Sequence, residues 1–329
     1  MWHLFKNAKY NFLRVRRYAY AATVALLLPG LGLVLFRGLN ESIEFTGGTL
    51  IQIQARNPDV EEGAIRNALN QAGLQGAEVQ RFGAPDEFVI RARLSPEVVQ
   101  STASTQETAT AVDTALTRAL GADSYAVVRT EAVGPKVGGE LRQKALMAIL
   151  LSFGATLVYL WFRFEWRFGI AAVVATIHDI VAALAFIGFA RLEVSLFVVA
   201  GLLTIVGYSL NDTIVIFDRI RENLHRRKRD SFESILNRSI NETLPRTFFT
   251  GTTALGSLTA LSILGGDVVR PFALLMLFGV VVGTFSSIYI ASPVLLAIET
   301  RWPGPDARGH LGAKTPATPS GSRKPQPVG

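Results

Sequence analysis

Long runs of apolar residues alternate with polar segments along this 329-residue chain. Each run reaches the roughly 18 residues that a helix needs to cross the hydrocarbon core of a bilayer. Only three residues, 191–193, separate the third run from the fourth, so these two helices should be antiparallel neighbours. We predict six membrane-spanning helices: 18–36, 145–162, a third ending near Ala190, a long fourth beginning at Val194, 247–264 and 271–298.

The first predicted span follows a basic segment, residues 1–17, with five Lys or Arg residues. A basic start before an apolar run is also typical of a cleaved signal peptide. This run is long for a signal peptide, and Arg37-Gly-Leu-Asn40 offers no pair of small residues for cleavage. We therefore interpret residues 18–36 as an uncleaved span.

Residues 37–144 are polar and predict a separate domain. Ile51 and Ile53 alternate with glutamines, which is typical of a half-buried strand. Helices are predicted to open at Asn57-Pro-Asp59 and at Ser95-Pro-Glu97, with strands at 50–55, 77–82, 87–94 and 125–133. The order βαββαβ predicts a ferredoxin-like α+β domain, with both helices on one face of a single sheet. The predicted fold class is a polytopic α-helical membrane protein with six transmembrane helices and one extracytoplasmic ferredoxin-like domain.

The distribution of basic residues predicts the orientation of the chain. Both termini and two loops, all on one side of the predicted spans, carry twenty Lys and Arg residues, whereas the short loops opposite carry only Arg191 and Arg270. Short loops rich in Lys and Arg stay in the cytoplasm. We therefore predict cytoplasmic termini, a cytoplasmic basic loop at 218–246 and a domain on the outer side of the membrane.

Two further segments on the cytoplasmic side have distinctive compositions. After a cap at Asp230 or Ser231, apolar residues recur at helical spacing, which predicts an amphipathic helix lying in the membrane interface. The tail 301–329 is rich in Pro, Gly, Ser and basic residues and is predicted to be disordered.

Composition excludes several classes of function. The net charge of +7 comes from basic residues beside apolar runs, so it predicts membrane orientation and not binding of nucleic acid. The chain has no cysteine, and no phosphate-binding loop, HExxH or GxSxG motif occurs in it. We predict a protein that is not an enzyme and uses no cofactor or metal.

One acidic residue lies deep inside the fourth apolar run. Asp212 precedes Asp218, the first solvated charge, by six residues, which is about 9 Å at helical rise. The alternative, a side chain that reaches the headgroups, is disfavoured because aspartate is short. An ionisable residue within the membrane is a candidate functional site.

Three other residues could share that chemistry. Arg246 opens the fifth span and could pair with Asp212, or simply anchor the helix at the headgroups. His178 and Asp179 lie near the middle of the third span, and the histidine could relay protons or satisfy a contact between helices. Counting from Leu192 separates Asp179 from Asp212 by about 10 Å in depth, which would require a path through water.

These groups suit proton coupling. A helix shift that makes and breaks an Asp212–Arg246 pair would alternately release and capture a proton. Small residues at every fourth position of the sixth span, Gly279, Gly283, Ser287 and Ala291, would permit close contact or sliding. Static close packing explains the same ridge equally well.

Three motifs resemble the SecD/SecF family of protein-export membrane proteins, in particular its SecF members. They are Glu44-Phe-Thr-Gly-Gly-Thr49, Val133-Gly-Pro-Lys-Val-Gly138 and Ser209–Asn223, which contains Asn211 and Asp212. The resemblance follows the chain in order from the first span to the sixth. It departs from the family at Glu44, where Asp is usual, and in having no fused SecD part.

The resemblance implies a member of the RND-type transporters that uses the proton motive force to assist export through SecYEG, with SecD as a separate chain and the exported polypeptide as substrate. Asp212 would be the essential membrane acid and Arg246 its counterpart, with Asn211, His178 and Asp179 as further proton-coupling candidates. Phe45, Gly47, Gly48, Gly134 and Pro135 would be structural motif residues, and the two central glycines would let the chain turn into the first strand.

Two alternatives stay open from the sequence. The first is a proton-driven exporter subunit for a lipid or a small molecule, which would need a substrate pocket between spans. The second is a scaffold that only assembles the translocon, for which loss of the Asp212 charge would be silent.

Overall fold

The computed structural model describes residues 9–57, 60–74, 77–82, 84–92, 103–227 and 229–311. Six helical segments within them are long and apolar enough to cross a membrane, which confirms a polytopic helical membrane protein. They are α1 (Arg16–Arg37, after a short 3-10 turn), α5 (Pro135–Arg163), α6 (Trp166–Ala190), α7 (Leu196–Arg226), α8 (Phe232–Leu264) and the segment formed by α9 (Gly266–Ser286), a π-helical turn (Ser287–Ala291) and α10 (Ser292–Arg301).

Most of the remaining elements lie between α1 and α5. They are β1 (Asn40–Glu41), α2 (Ile43–Thr46), β2 (Gly48–Ala55), α3 (Glu62–Gln71), β3 (Glu78–Arg81), β4 (Glu87–Ala92), α4 (Ala103–Leu120) and β5 (Tyr125–Val133). Four of these strands form one antiparallel sheet in the order β3-β4-β2-β5. The predicted opening of the second helix at Ser95 and the inward position of Leu94 fall outside the described residues.

The sheet has one face covered by its own two helices. Ile51 and Ile53 of β2 are buried together with the alternate residues of β4, as their spacing predicts, against Ile65 of α3 and Leu116 of α4. The opposite face buries a smaller cluster around Leu50, between the sheet and α2. The sheet is therefore buried on both faces, and its second face meets the end of the helix bundle.

Close approach of α1 and α6 depends on two glycines. A Cβ atom at Gly30 would lie 2.6 Å from both the Cβ and the carbonyl oxygen of Ala185. A Cβ atom at Gly188 would likewise lie 3.0 Å from the carbonyl oxygen of Gly30. The helix backbones are thus in direct contact, as small residues allow in membranes.

Helix α8 differs from the sequence prediction. The predicted interfacial segment and the fifth span form one continuous helix that passes through Pro245, with Ser231 as its N-cap. Its apolar side chains, Phe232, Ile235, Leu236 and Ile240, are buried in the protein core and do not lie in a lipid interface. The prediction of an interfacial helix was wrong because periodicity identifies an apolar face but not what covers it.

The start of the tail also differs from the prediction. Residues 302–311 fold back on the bundle and end in α11 (Arg308–Leu311). The backbone N–H of Gly304 donates to the buried carboxylate of Glu299 at 2.7 Å, and His310 contacts the carbonyl of Asp230 at 2.8 Å. The predicted disorder from Arg301 is therefore wrong for this part, and the rest of the tail lies outside the described residues.

Candidate functional site

Asp212 lies on α7 where that helix meets α8 and α9. Its side chain is 3% exposed, and its Oδ2 atom has no hydrogen-bond partner among the described residues. Thr247 of α8 and Thr284 of α9 lie beside the carboxylate. The buried hydroxyl of Thr247 likewise lacks a partner within the described part of the chain. Burying a polar atom without a hydrogen-bond partner costs free energy, so Asp212 is a candidate functional residue.

Arg246 lies one residue before Thr247, at the exposed surface of α8. Its charge acts on Asp212, yet no Asp212 ion pair within 4.0 Å is formed among the residues that the structure describes. Asp212 and Arg246 are therefore near each other in the described structure, without an ion pair between them.

Asp179 of α6 is held by hydroxyl groups from two other helices. Its Oδ2 atom accepts hydrogen bonds from Ser209 of α7 and from Ser286 of α9, the latter at 2.7 Å. His178 places its Nδ1 atom 2.9 Å from the other carboxylate oxygen. The side chain of Asp179 is 1% exposed, so three helices converge on one buried acid.

The two membrane acids are closer in depth than the sequence predicted. Ser209, which touches Asp179, precedes Asp212 by only three residues, or about 4.5 Å of helical rise. The count from Leu192 was wrong because α7 begins at Leu196, so part of the counted chain adds no helical rise. Ser209 therefore links the surroundings of the two acids along one helix.

Removing the hydroxyl of Ser286 is expected to destabilise the packing of α6, α7 and α9 around Asp179. Ser286→Ala leaves a buried carboxylate with one donor fewer, and a hydrogen bond to a charged group is worth about 1.5–3 kcal/mol. Ser287→Ala is the matched control, since among the described residues that hydroxyl donates to the nearby carbonyl of Thr284, at 2.9 Å, and to no other helix. The midpoint of thermal unfolding of the purified chain should fall clearly more for Ser286→Ala. Equal midpoints would contradict the assigned role.

Asn211 does not join this site, because its side chain is exposed on the surface of the bundle. The sequence prediction also missed Ser209, Ser286, Thr247 and Thr284. Ser209 could have been found, since it lies one helical turn from Asp212. The other three come from helices whose rotation the apolar pattern does not fix.

The glycine motif lies where the chain passes from α2 into β2. Gly47 and Gly48 have φ values of 72° and 133°, which only glycine adopts readily, so their predicted turning role fits the backbone. Phe45 is buried, and a Cβ atom at Gly138 would lie 3.1 Å from the Phe45 carbonyl oxygen. Gly134 and Pro135 begin α5 beside this turn, and the proline occupies the first turn of the helix, where its missing N–H is tolerated.

Glu44 connects this motif to the helix that carries Asp212. Its Oε2 atom accepts a hydrogen bond of 2.6 Å from the backbone N–H of Leu196, the first residue of α7. A carboxylate is favoured at a helix N-terminus by unpaired N–H groups and by the helix dipole. β1 and β6 (Glu193–Val194) pair in parallel beside this contact. The domain is thus attached directly to α7.

Glu44→Ala is expected to weaken this attachment. Ser195 is the N-cap of α7 and accepts from Val198, so Glu44 supplies a second acceptor, and its loss leaves the Leu196 N–H without a partner at a cost of about 1 kcal/mol. Hydrogen exchange at the first turn of α7 should become faster, and exchange near Asp212 should change less. Glu140→Ala, an exposed substitution on α5, is the control. Unchanged exchange at Leu196 in the Glu44 variant would contradict the cap.

Glu193 forms a second attachment, an ion pair with Arg91 of β4. Burial raises the pKa of Glu193 above its ordinary value, and the nearby carboxylates of Glu44 and Glu131 act in the same direction against the opposing effect of Arg91. A carboxyl group whose pKa is raised on docking stabilises the docked state below its ordinary pKa. That stabilisation is lost as the pH rises through the raised value.

The contact of the domain with α7 is therefore expected to loosen with rising pH. Protection of the α7 N-terminus from hydrogen exchange, corrected for intrinsic rates, should be greater at about pH 5 than at about pH 8. Glu193→Gln should flatten this dependence, whereas Glu140→Gln should leave it intact. The same pH dependence in wild type and Glu193→Gln would exclude this carboxyl group as its source.

Within the described residues, no group of three or more His, Asp or Glu side chains is arranged to hold a metal ion. The acids of the site instead lie beside hydroxyl groups and a histidine, and the charge of Arg246 acts on one of them without an ion pair. Such an arrangement can bind and release protons.

Comparison with known proteins gives consistent matches. Residues 111–301 match the family model described as protein export membrane protein SecD/SecF, C-terminal, and residues 32–59 match the SecD/SecF GG motif. A protein translocase subunit SecF from Gemmatimonas aurantiaca is 53% identical over 306 residues, covering 92% of this chain and 91% of the relative. A SecF from Desulfurispirillum indicum is 42% identical, covering 88% and 92%.

A solved structure is also similar. The crystal structure of SecDF, a translocon-associated membrane protein from Thermus thermophilus, aligns with a TM-score of 0.78 and 39% identity. The alignment covers 92% of this chain and 40% of that protein. This chain therefore corresponds to one part of a larger fused relative.

Proposed function

This chain belongs to the SecD/SecF family of protein-export membrane proteins and is an accessory subunit of the Sec protein translocase; we propose that the proton motive force acts on it through Asp212. The observation that carries the proposal is the buried carboxylate of Asp212 on α7, which lies beside Thr247 and Thr284, forms no ion pair with the described residues and is acted on by the charge of Arg246. Each charge that crosses the membrane potential contributes about 2.3 kcal/mol per 100 mV.

Protonation of Asp212 would change the force that holds α7 against α8. The ionised carboxylate attracts Arg246, whereas the neutral acid does not, so binding of a proton favours a different helix arrangement. Asp179 and His178, with Ser209 between them and Asp212, extend the path that protons would take. Glu44 caps the other end of α7, so a shift of that helix would move the domain.

The domain would act on the exported polypeptide. Its βαββαβ order and its sheet order β3-β4-β2-β5 support a ferredoxin-like fold. The distribution of basic residues supports a position outside a bacterial inner membrane, with both termini in the cytoplasm. In this position the domain would hold an emerging polypeptide and oppose its return. The subunit would contribute no enzymatic step.

The chain would act with SecD and the SecYEG translocon. The relative that aligns along 40% of its length is named SecDF, which supports a SecD-type partner for the remainder. A single bundle of six spans would then form half of the working membrane unit. The exposed Asn211 lies on a bundle surface that such a partner could cover.

Reconstitution tests this proposal. Proteoliposomes containing SecYEG and SecD, with or without this chain, should differ in export driven by an imposed proton gradient. Export should depend on the gradient only when the chain is present. A gradient-independent stimulation would support the scaffold alternative. Gradient-driven loss of a labelled lipid, with no effect on the polypeptide, would support the exporter alternative.

A further inference from the structure

An apolar groove of about 330 Å³ opens between α5, α6 and α7 on the side of the bundle that meets the domain. Its walls are aliphatic and aromatic side chains, including Leu146, Phe153, Leu184 and Leu202. Along α5 the groove extends from Arg142 to Phe153, about 16 Å of helical rise. That length is about half the thickness of the hydrocarbon core, or one leaflet.

A polar basin adjoins the open end of the groove. Its volume is about 600 Å³, and Leu39 and Glu41 line both spaces. Arginines predominate around the junction: Arg37, Arg66 and Arg191 line the basin, and Arg142 lines the groove, against the acids Glu41 and Glu78. The Arg142 side chain is 60% exposed, and its Nη2 atom lies 3.3 Å from Oε1 of Glu41.

We propose that the groove and the basin together bind one anionic phospholipid. The acyl chain would occupy the groove, and the phosphate would contact Arg142 and the basin arginines. Arginine binds phosphate through paired N–H donors, and the excess of arginines over acids favours a headgroup with net negative charge over a zwitterionic one. The groove lies between membrane-spanning helices, so membrane lipid is already at its opening. This inference does not depend on the role of the chain in export.

Native mass spectrometry of the purified full chain in detergent tests the site. The probes are palmitoyl-oleoyl phosphatidylglycerol and the matching phosphatidylcholine. Wild type should retain one phosphatidylglycerol, with an apparent affinity about fivefold or more above that for phosphatidylcholine. Ala145→Trp, which fills the groove, should abolish retention of both lipids, whereas Ala148→Trp, on the exposed side of the same helix, should not.

The headgroup contact has its own test. Arg142→Gln should reduce phosphatidylglycerol binding about fivefold and phosphatidylcholine binding less, because the choline ammonium already offsets the attraction of that phosphate to arginine. Lys144→Gln, exposed and outside the groove, should behave as wild type. The unfolding midpoints of all four variants serve to exclude misfolding.

Three results would overturn the proposal. The first is equal binding of the two lipids in wild type. The second is lipid retention that Ala145→Trp does not reduce in a chain that unfolds at the wild-type temperature. The third is loss of the bound lipid when the chain is purified together with its membrane partner, which would make the groove a protein interface.

Discussion

Asp212→Asn is expected to reduce proton-driven export to the level measured without a proton gradient. The amide cannot exchange a proton at physiological pH, so the coupling of one charge to the membrane potential is lost. At 100 mV that coupling is worth about 2.3 kcal/mol, or roughly 50-fold in an equilibrium. Asparagine has nearly the shape of aspartate, and its amide oxygen can still accept from Thr247 and Thr284 beside it, so the variant should fold. The measurement is export into proteoliposomes with an imposed gradient.

Asp218→Asn is the matched control for this variant. Asp218 lies on the same helix, but it is partly exposed and pairs with Arg163. An exposed pair contributes about 0–1 kcal/mol, so export should remain near the wild-type level. If Asp212→Asn retained gradient-driven export, Asp212 would not be the coupling residue and the scaffold interpretation would be favoured.

Gly30→Ala is expected to cause a large loss of stability. The added methyl group would lie 2.6 Å from the carbonyl oxygen of Ala185, a backbone atom that cannot rotate away. Helices α1 and α6 would have to separate, and overpacking of this kind typically costs about 1–3 kcal/mol. The midpoint of thermal unfolding in detergent should fall accordingly.

Gly32→Ala, two residues further along α1, serves as the control because nothing lies within 4 Å of its added methyl group. There the higher helix propensity of alanine should leave stability unchanged or raise it by about 0.5–1 kcal/mol. A smaller loss for Gly30→Ala than for Gly32→Ala would show that the two helices are not in contact at this point.

The sequence by itself determined the helical membrane architecture and the order of elements in the domain. Apolar run length is dictated by the thickness of the bilayer, and alternation along β2 and β4 is dictated by the pleat of a strand. Both are local quantities, so they can be read without knowing which elements touch. The burial of Asp212 follows from the same pattern, since its helix continues well beyond it on both sides.

Only the tertiary structure decided how the helices are rotated against one another. Asp179 accepts hydrogen bonds from Ser209 and Ser286, which lie on two other helices. Glu44 accepts one from the N-terminus of α7, about 150 residues further along the chain. Periodicity identifies an apolar face but not its partner, which is why the buried face of α8 was assigned to lipid. Side-chain packing between helices sets these contacts, and that information is not local in the chain.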